Sequence, residues 1–370
     1  MNVKTTFNIA VLPGDGIGLE ITEPCIELLK KASEVIGGFK LHFELLDAGA
    51  AYYQKTGVSL PDESLAKAKA ADAILLAAMG LPSIRYPDGT EISPQLELRE
   101  KLCLYAGVRP IKTMPGLTPV LADPRAKNLD IVLIRESTEG LFAARGNGVI
   151  ENDQVAKDTM TITRPICERL FDFGFRFAQR RKQNGHPGNL TCVDKANVIG
   201  GFAFFRKIFD ERAKAFPEVL ASHAYVDAVG LNLVKQPWNF DVLVTENMFG
   251  DILSDVGAGL LGGMGLAPSA DIGDDHAVFQ PCHGTAPDIA GQGKANPTAM
   301  FLSAAMMLDW LGDRHHSESC LVAAKTLTGA IESVYLDGCL PFELGGNDGT
   351  DVIAKAVKKA IKAPVNAVMA

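Results

Sequence analysis

Short apolar, β-branched runs alternate along this chain with amphipathic segments of helical length, and this alternation constrains the fold more than any other feature. Parallel strands need long crossovers, usually helices, and a strand covered on both faces reads as an unbroken apolar run. Strands are predicted at Asn8–Leu12, Leu41–Leu46, Ala73–Ala77, Ile131–Arg135, Asn189–Val193, Ser222–Val226 and Val242–Thr245. Helices follow most of them, as at Gly18–Ser33 and Thr163–Arg181, and the Gly- and Pro-rich Asn184–Gly188 reads as a turn. The expected class is α/β, with a mainly parallel sheet and flanking helices.

At 370 residues the chain exceeds one ordinary core, so two or three domains are expected. With 47% hydrophobic and 22% charged residues it resembles an average globular protein, not a disordered, fibrous or disulfide-scaffold chain. The net charge is −8 and no Lys/Arg run occurs, so no nucleic-acid or membrane partner is expected. An anionic ligand must then meet a local basic pocket. Seven scattered cysteines without a CxxC pair read as reduced thiols in the cytoplasm. No secretory leader is expected, because the first apolar run spans only Ile9–Leu12. The least polar stretch, 256–270, is broken by glycines and too short for a membrane span.

Four constellations can carry chemistry. The first is LPGDGIG, Leu12–Gly18, a glycine turn between strand and helix. Such a turn either presents amides to a dinucleotide phosphate or simply closes the strand–helix connection, and its GxGxG spacing does not support a Rossmann fingerprint. The second is Arg99, Arg109 and Arg135, each near the end of a predicted element. Converging guanidiniums select a di- or tricarboxylate by bidentate contacts, whereas isolated ones form surface ion pairs. Ser93-Pro94 reads as a helix N-cap and first residue, which puts Gln95 and Leu96 on the face of Arg99.

The third is the pair Asp251 and Asp255, stacked i, i+4 on one helix face, with Asp227 ending the strand HAYVD as a candidate third ligand. Stacked like charges repel, and Mg²⁺ or Mn²⁺ would offset that repulsion through hard oxygen ligands; the alternative is a solvated acidic face. The fourth is Lys195 in VDKANV, either a base with a shifted pKa or a structural ion pair with Asp194.

Taken in order, LPGDGIG, LREKLCLYAGVRP, VLIRESTEGLF, VDKANV, YVDA, FDVLVTENMFGDILSD and HGTAPDIAGQGKANPTA closely resemble the isocitrate/isopropylmalate dehydrogenase family of β-decarboxylating dehydrogenases. The resemblance implies a non-Rossmann two-domain fold, with residues 1–107 and 260–370 forming the large, cofactor-binding domain and 108–259 the small substrate, metal and dimerisation domain. It places Arg99, Arg109 and Arg135 on the malate carboxylates, Asp227, Asp251 and Asp255 on Mg²⁺ or Mn²⁺, and Lys195 as the catalytic lysine. Lys195 and Asp227 would serve the neighbouring subunit's site, so a homodimer with shared active sites is implied. The cofactor would lie along Ile17, His283, Gly284, Ala286, Asp288 and Asn296. Asp288-Ile289 stands where NADP-using members carry Lys-Tyr. A carboxylate suits a ribose diol and repels a 2′-phosphate, so NAD is expected.

The implied chemistry is oxidation of a (2R)-hydroxy acid with a malate core, followed by loss of the 3-carboxylate as CO₂. Two departures stand out. Phe142 occupies the place of the family's proton-donating tyrosine, which opens the alternative of a catalytically impaired or regulatory member. Gln280 stands where many members have glutamate. The isopropylmalate users' leucine pair is also missing, because Ser93 and Gln95 occupy the serine and asparagine positions of isocitrate users, with Leu96 beside them. Leaving those polar groups unpaired against an isopropyl group costs about 1–3 kcal/mol each. The expected substrate is therefore isocitrate-, tartrate- or malate-like, with 3-isopropylmalate disfavoured.

Overall fold

The structure is a computed structural model that describes residues 4–363. In chain order the elements are β1 (Thr6–Gly14), α1 (Ile17–Ile36), β2 (Lys40–Leu45), α2 (Ala50–Thr56), α3 (Asp62–Ala70), β3 (Ala73–Ala78), α4 (Pro94–Lys101), β4 (Ala106–Lys112) and β5 (Asp130–Glu136). Next come β6 (Val149–Glu151), β7 (Val155–Lys157), α5 (Arg164–Gln183), β8 (Asn189–Asp194), α6 (Gly200–Ala213), β9 (Leu220–Tyr225), α7 (Val226–Lys235), β10 (Val242–Thr245) and α8 (Asn247–Leu261). The last are β11 (Pro268–Ile272), β12 (Ala277–Pro281), α9 (Thr298–His315), α10 (Glu318–Leu336) and α11 (Thr350–Ala360).

Ten strands form one sheet in the order β2-β1-β3-β12-β11-β4-β5-β10-β8-β9. Alternate side chains of a strand point to opposite faces. Ile9 and Val11 of β1 accordingly join one apolar cluster with α1 and α9 residues, while Ala10 and Leu12 join another with Leu98 of α4. Both faces are covered, which explains the unbroken apolar runs.

The pairings are parallel except β12–β11, β11–β4 and β4–β5, which are antiparallel. Strands from the two chain ends fill one half of the sheet and strands from the middle fill the other. The halves meet where Ala270, Asp271 and Ile272 of β11 face Val108, Gly107 and Ala106 of β4.

Five strands escape the sequence reading: β4, β6, β7, β11 and β12. Three of them carry a proline (Pro110, Pro268, Pro281), which reads as a breaker. The strand predicted at Ser222–Val226 ends at Tyr225. Val226 and Asp227 instead open α7, where the helix dipole favours an acidic side chain.

The LPGDGIG turn is held from within. Asp15 is 1% exposed, and its carboxylate accepts hydrogen bonds from the backbone amides of Ala50 at 2.8 Å, Ala51 at 2.8 Å and Gly80 at 2.9 Å. It thereby ties the first turn to the start of α2 and the end of β3. Removing the acceptor leaves two buried donors and one part-buried donor unpaired. Asp15→Ala should therefore lower the unfolding free energy by about 2–4 kcal/mol, measured by urea denaturation; an unchanged midpoint and slope would contradict this role.

Candidate active site

The three arginines converge where the two halves of the sheet meet. Arg99 stands in the last turn of α4, Arg109 on β4 and Arg135 on β5, and all three are buried. They line a single cavity of about 320 Å³. Asp271 of β11, which is fully buried, lies between two of them. Its carboxylate accepts from Arg99 Nε at 3.0 Å and from an Arg109 terminal nitrogen at 3.0 Å. The other terminal nitrogen of Arg109 donates to the carbonyls of Ala270 and Val108 at 3.0 and 3.2 Å. Arg135 gives Nε and one terminal nitrogen to Asn247 Oδ1 and the other terminal nitrogen to Asp251.

Burial first, and the charge of Arg99 second, push the Arg135 guanidinium down to about 10. Crowding of this kind stores repulsion that a bound carboxylate relieves. Burial would likewise raise the Asp271 carboxyl, but Arg109 and Arg99 outweigh it and hold the group at about 2. Asp271 is absent from the sequence reading. Its signal was a charged residue within the otherwise apolar run PSADI, since lone charges are rarely buried without partners.

Asp251 and Asp255 both line this cavity from α8. Burial, then the charge of Asp251, raises the Asp255 carboxyl, so the expected like-charge strain is present. Arg135 relieves Asp251, while Asp255 has no cation partner among the described residues. Two neighbouring hard oxygen donors, of which Asp255 has no cation partner among the described residues, fit a divalent cation. A third ligand is not supplied within one chain. Among the described residues no three His, Cys, Asp or Glu side chains are grouped to hold a metal.

Asp227 stands exposed on α7, paired with Lys195, and neither residue lines the cavity. The Lys195 hydrogen bond lowers the Asp227 carboxyl. The alternative pairing of Lys195 with Asp194 is corrected here: Asp194 accepts both arms of Arg206, at 2.8 and 2.7 Å. A guanidinium fork fits a buried carboxylate better than an ammonium does, and Lys195 is left to Asp227.

Ser93 takes the N-cap position of α4 with Pro94 in the first turn, as expected, but its side chain makes no capping bond; its hydroxyl donates to the Glu91 carbonyl at 3.3 Å. Ser93, Gln95 and Leu96 all line the cavity. Gln95 Oε1 is buried there with no hydrogen-bond donor. Phe142 begins the 3₁₀ turn Phe142–Ala144, and its ring lies against Arg135, with the guanidinium carbon 5.1 Å from the ring centroid. Gln280 of β12 lines the cavity too, and its amide donates to Asp271 Oδ2 at 2.9 Å.

The dinucleotide-loop reading of LPGDGIG is not supported. The amides of Asp15, Ile17 and Gly18 are given to the carbonyls of Ala78, Thr285 and Asp15, so these three are not free for a phosphate. Gly16 has φ +56°, and a Cβ there would lie 2.2 Å from the Thr285 carbonyl oxygen, so only glycine fits. The side chain of Ile17 is buried directly after this turn.

The segment His283–Asp288 follows β12 beside the same cavity, which His283 and Gly284 line. Its backbone is sharply turned, with Ala286 at φ +36°. His283 Nδ1 is 2.9 Å from the Gly284 carbonyl, whereas Nε2 is buried without a partner. Burial lowers the imidazole pKa and keeps the ring neutral. An orphaned acceptor fits a donor on a bound cofactor. Asp288 is exposed. Asn296 is differently placed: its side-chain amide is already bonded to Glu343, the Thr298 amide and the Tyr335 hydroxyl.

The chain is similar to known proteins over nearly its whole length. The family model described as isocitrate/isopropylmalate dehydrogenase matches residues 8–361. The chain is 39% identical over 355 residues to the 3-isopropylmalate/3-methylmalate dehydrogenase of Methanocaldococcus jannaschii, covering 96% of this chain and 98% of that protein. It is 38% identical to the homoisocitrate dehydrogenase of the same organism, covering 96% and 99% of the two chains. Among solved structures, isocitrate dehydrogenase from Methylococcus capsulatus superimposes with a TM-score of 0.83 at 34% identity, over 96% of this chain and 99% of that one. The chain is therefore an enzyme of the isocitrate/isopropylmalate dehydrogenase family, acting on CH–OH groups.

Proposed function

We propose that this enzyme oxidises and β-decarboxylates a (2R)-hydroxy acid with a malate core, using NAD and Mg²⁺ or Mn²⁺. The observation that carries this reading is three buried arginines and an acidic pair lining one cavity. Arg99, Arg109 and Arg135 hold the substrate carboxylates by charge-assisted bonds. Asp251 and Asp255 hold the cation, and His283, Gly284 and Asp288, with Ile17, Ala286 and Asn296 shaping the surrounding backbone, hold NAD. NAD held there would supply the acceptor for the C2 hydride, and a cation held by Asp251 and Asp255 would supply Lewis acidity toward the 2-hydroxyl and the negative charge left by CO₂ loss.

Lys195 takes the hydroxyl proton at Nζ. The C3–carboxylate bond then breaks, its electron pair enters the enolate, and C3 is protonated. Phe142 carries no proton to give, so water supplies it.

The Lys195–Asp227 pair reaches this cavity from a second copy of the chain. Support comes from its exposure outside its own cavity and from apolar residues left exposed nearby: Leu231 and Val234 on α7, Ile252 on α8, and Val198 and Ile199 before α6. The two-stranded β6–β7 arm, exposed throughout, also stands apart from the main sheet and needs a partner surface. A homodimer follows.

We propose residues 1–107 with 260–370 and 108–259 as the two domains, with residues 1–3 and 364–370 lying outside the described residues. Those edges cut β4 and α8, so the limits move to the loops before Ala106 and after Leu261. A cytoplasmic location fits seven free cysteines. Among the described residues no helix is long and apolar enough to cross a membrane.

The substrate's 3-substituent is polar or small, because Ser93 and the unpaired Gln95 carbonyl would face it. The test is NADH formation from D-malate, tartrate, isocitrate and 3-isopropylmalate, with and without Mg²⁺. A compound of the first three should exceed 3-isopropylmalate in kcat/KM by at least about tenfold, or roughly 1.4 kcal/mol. A preference for 3-isopropylmalate overturns the substrate reading. On the best substrate NAD should exceed NADP by about tenfold or more, because Asp288 repels the 2′-phosphate; equal kcat/KM values for the two cofactors contradict it.

A further inference from the structure

The feature left over by the proposed mechanism is Asp271, a fully buried carboxylate that touches no part of the cavity surface yet accepts from four side chains. Besides Arg99 and Arg109, it receives the Gln280 amide at 2.9 Å and the Ser137 hydroxyl at 3.3 Å. The fit is close: a Cβ at Gly107 would lie 2.5 Å from Ser137 Oγ and 3.0 Å from Asp271 Oδ1. By taking Arg99 at Nε, Asp271 leaves both terminal nitrogens of that fork free of side-chain partners, in a side chain that lines the cavity. By taking one end of Arg109, it turns that guanidinium so that the other end is spent on main-chain carbonyls. Arg135 is already committed to Asn247 and Asp251.

Two consequences follow. The orientation of both clamp arginines depends on Asp271. Asp271 also offsets positive charge at Arg99 and Arg109 from behind the cavity wall, as Asp251 does at Arg135, and burial leaves this carboxylate little screened by solvent. Gln280 reinforces this, because it donates to Asp271 without adding charge of its own.

Resting on the substrate reading above, we infer that Asp271 is a positioning and charge-selecting residue: it aims Arg99 and Arg109 and sets the cavity to take a dianionic 2-hydroxy acid in preference to a trianionic one. The favoured ligands are thus malate-core dicarboxylates whose 3-substituent is hydrogen or a neutral polar group. A third carboxylate meets a clamp with one positive charge fewer.

The experiment compares kcat and KM for D-malate, tartrate and isocitrate in the wild-type holoenzyme and in Asp271→Asn, with thermal melting as a check of folding. Wild type should prefer a dicarboxylate. In Asp271→Asn, KM for the dicarboxylate should rise about tenfold or more with a smaller change in kcat, and the dicarboxylate-to-tricarboxylate ratio of kcat/KM should narrow about tenfold. A role confined to stability would lower melting and scale all substrates alike. A folded variant with an unchanged ratio overturns the inference, as does a wild type that prefers isocitrate, although that result leaves the proposed reaction intact. If Asp271→Asn does not fold, Gln280→Glu, which adds charge beside Asp271, decides: the ratio should widen, and an unchanged ratio overturns the inference. Absence of NADH from every compound instead defeats the proposed reaction itself.

Discussion

Asp251→Asn is expected to abolish the divalent-ion requirement together with turnover, with a loss of roughly 10²–10³-fold or more from the several kcal/mol that a cation contributes to charge stabilisation. The substitution keeps volume and leaves an oxygen for Arg135, the residue's present partner. The arginine is therefore not stranded without an acceptor, and the fold should persist. What is lost is one of the two negative charges on the cavity face of α8, and with it the repulsion that raises Asp255. Calorimetric titration with Mg²⁺ gives the direct readout: affinity should fall beyond detection while the melting temperature holds or rises. Unaltered Mg²⁺ affinity would contradict the assignment. A collapse of the fold would show instead that Asp251 serves Arg135 alone.

Phe142→Tyr is the second large effect, and its sign is the informative part. The ring lies against Arg135 and lines the cavity, so the substitution tests a phenol at the cavity wall. General acid catalysis contributes about 10²–10⁴-fold. If protonation of the enolate by water limits turnover, restoring a phenol should raise steady-state CO₂ release toward that range. If Phe142 is only a packed wall, the hydroxyl crowds the site, and both NADH formation and CO₂ release fall or stay unchanged. Rates of the two products measured side by side on wild type and variant separate these outcomes. A catalytically impaired or regulatory role gains weight only if wild type shows neither product and the variant restores both.

The α/β class was legible because β1, β3, β5 and β10 carry buried apolar runs separated by segments of helical length. The middle of the sheet was not, because β4, β11 and β12 carry prolines and charges at the seam between the two halves. That seam is where the site forms, so the same residues that break the strand pattern build the cavity. Arg99, Arg135, Asp251 and Asp255 were legible from helix spacing and placement near element ends, whereas Arg109, expected near an element's end, stands in the middle of β4. Asp271 was missed because its partners Arg99 and Arg109 lie far away in sequence and meet it only through the β11–β4 register. Lys195 and Asp227 could be named from their motifs, but within one chain they pair with each other outside the cavity.

In the proposed reaction one cavity couples hydride removal to loss of a carboxylate under control of a divalent cation. The most direct test is simultaneous measurement of NADH and CO₂ from the best 2-hydroxy dicarboxylate, before and after chelation. One CO₂ should form for each NADH, with both lost in EDTA and both restored by Mg²⁺ or Mn²⁺. NADH without CO₂, or undiminished turnover in EDTA, would contradict it.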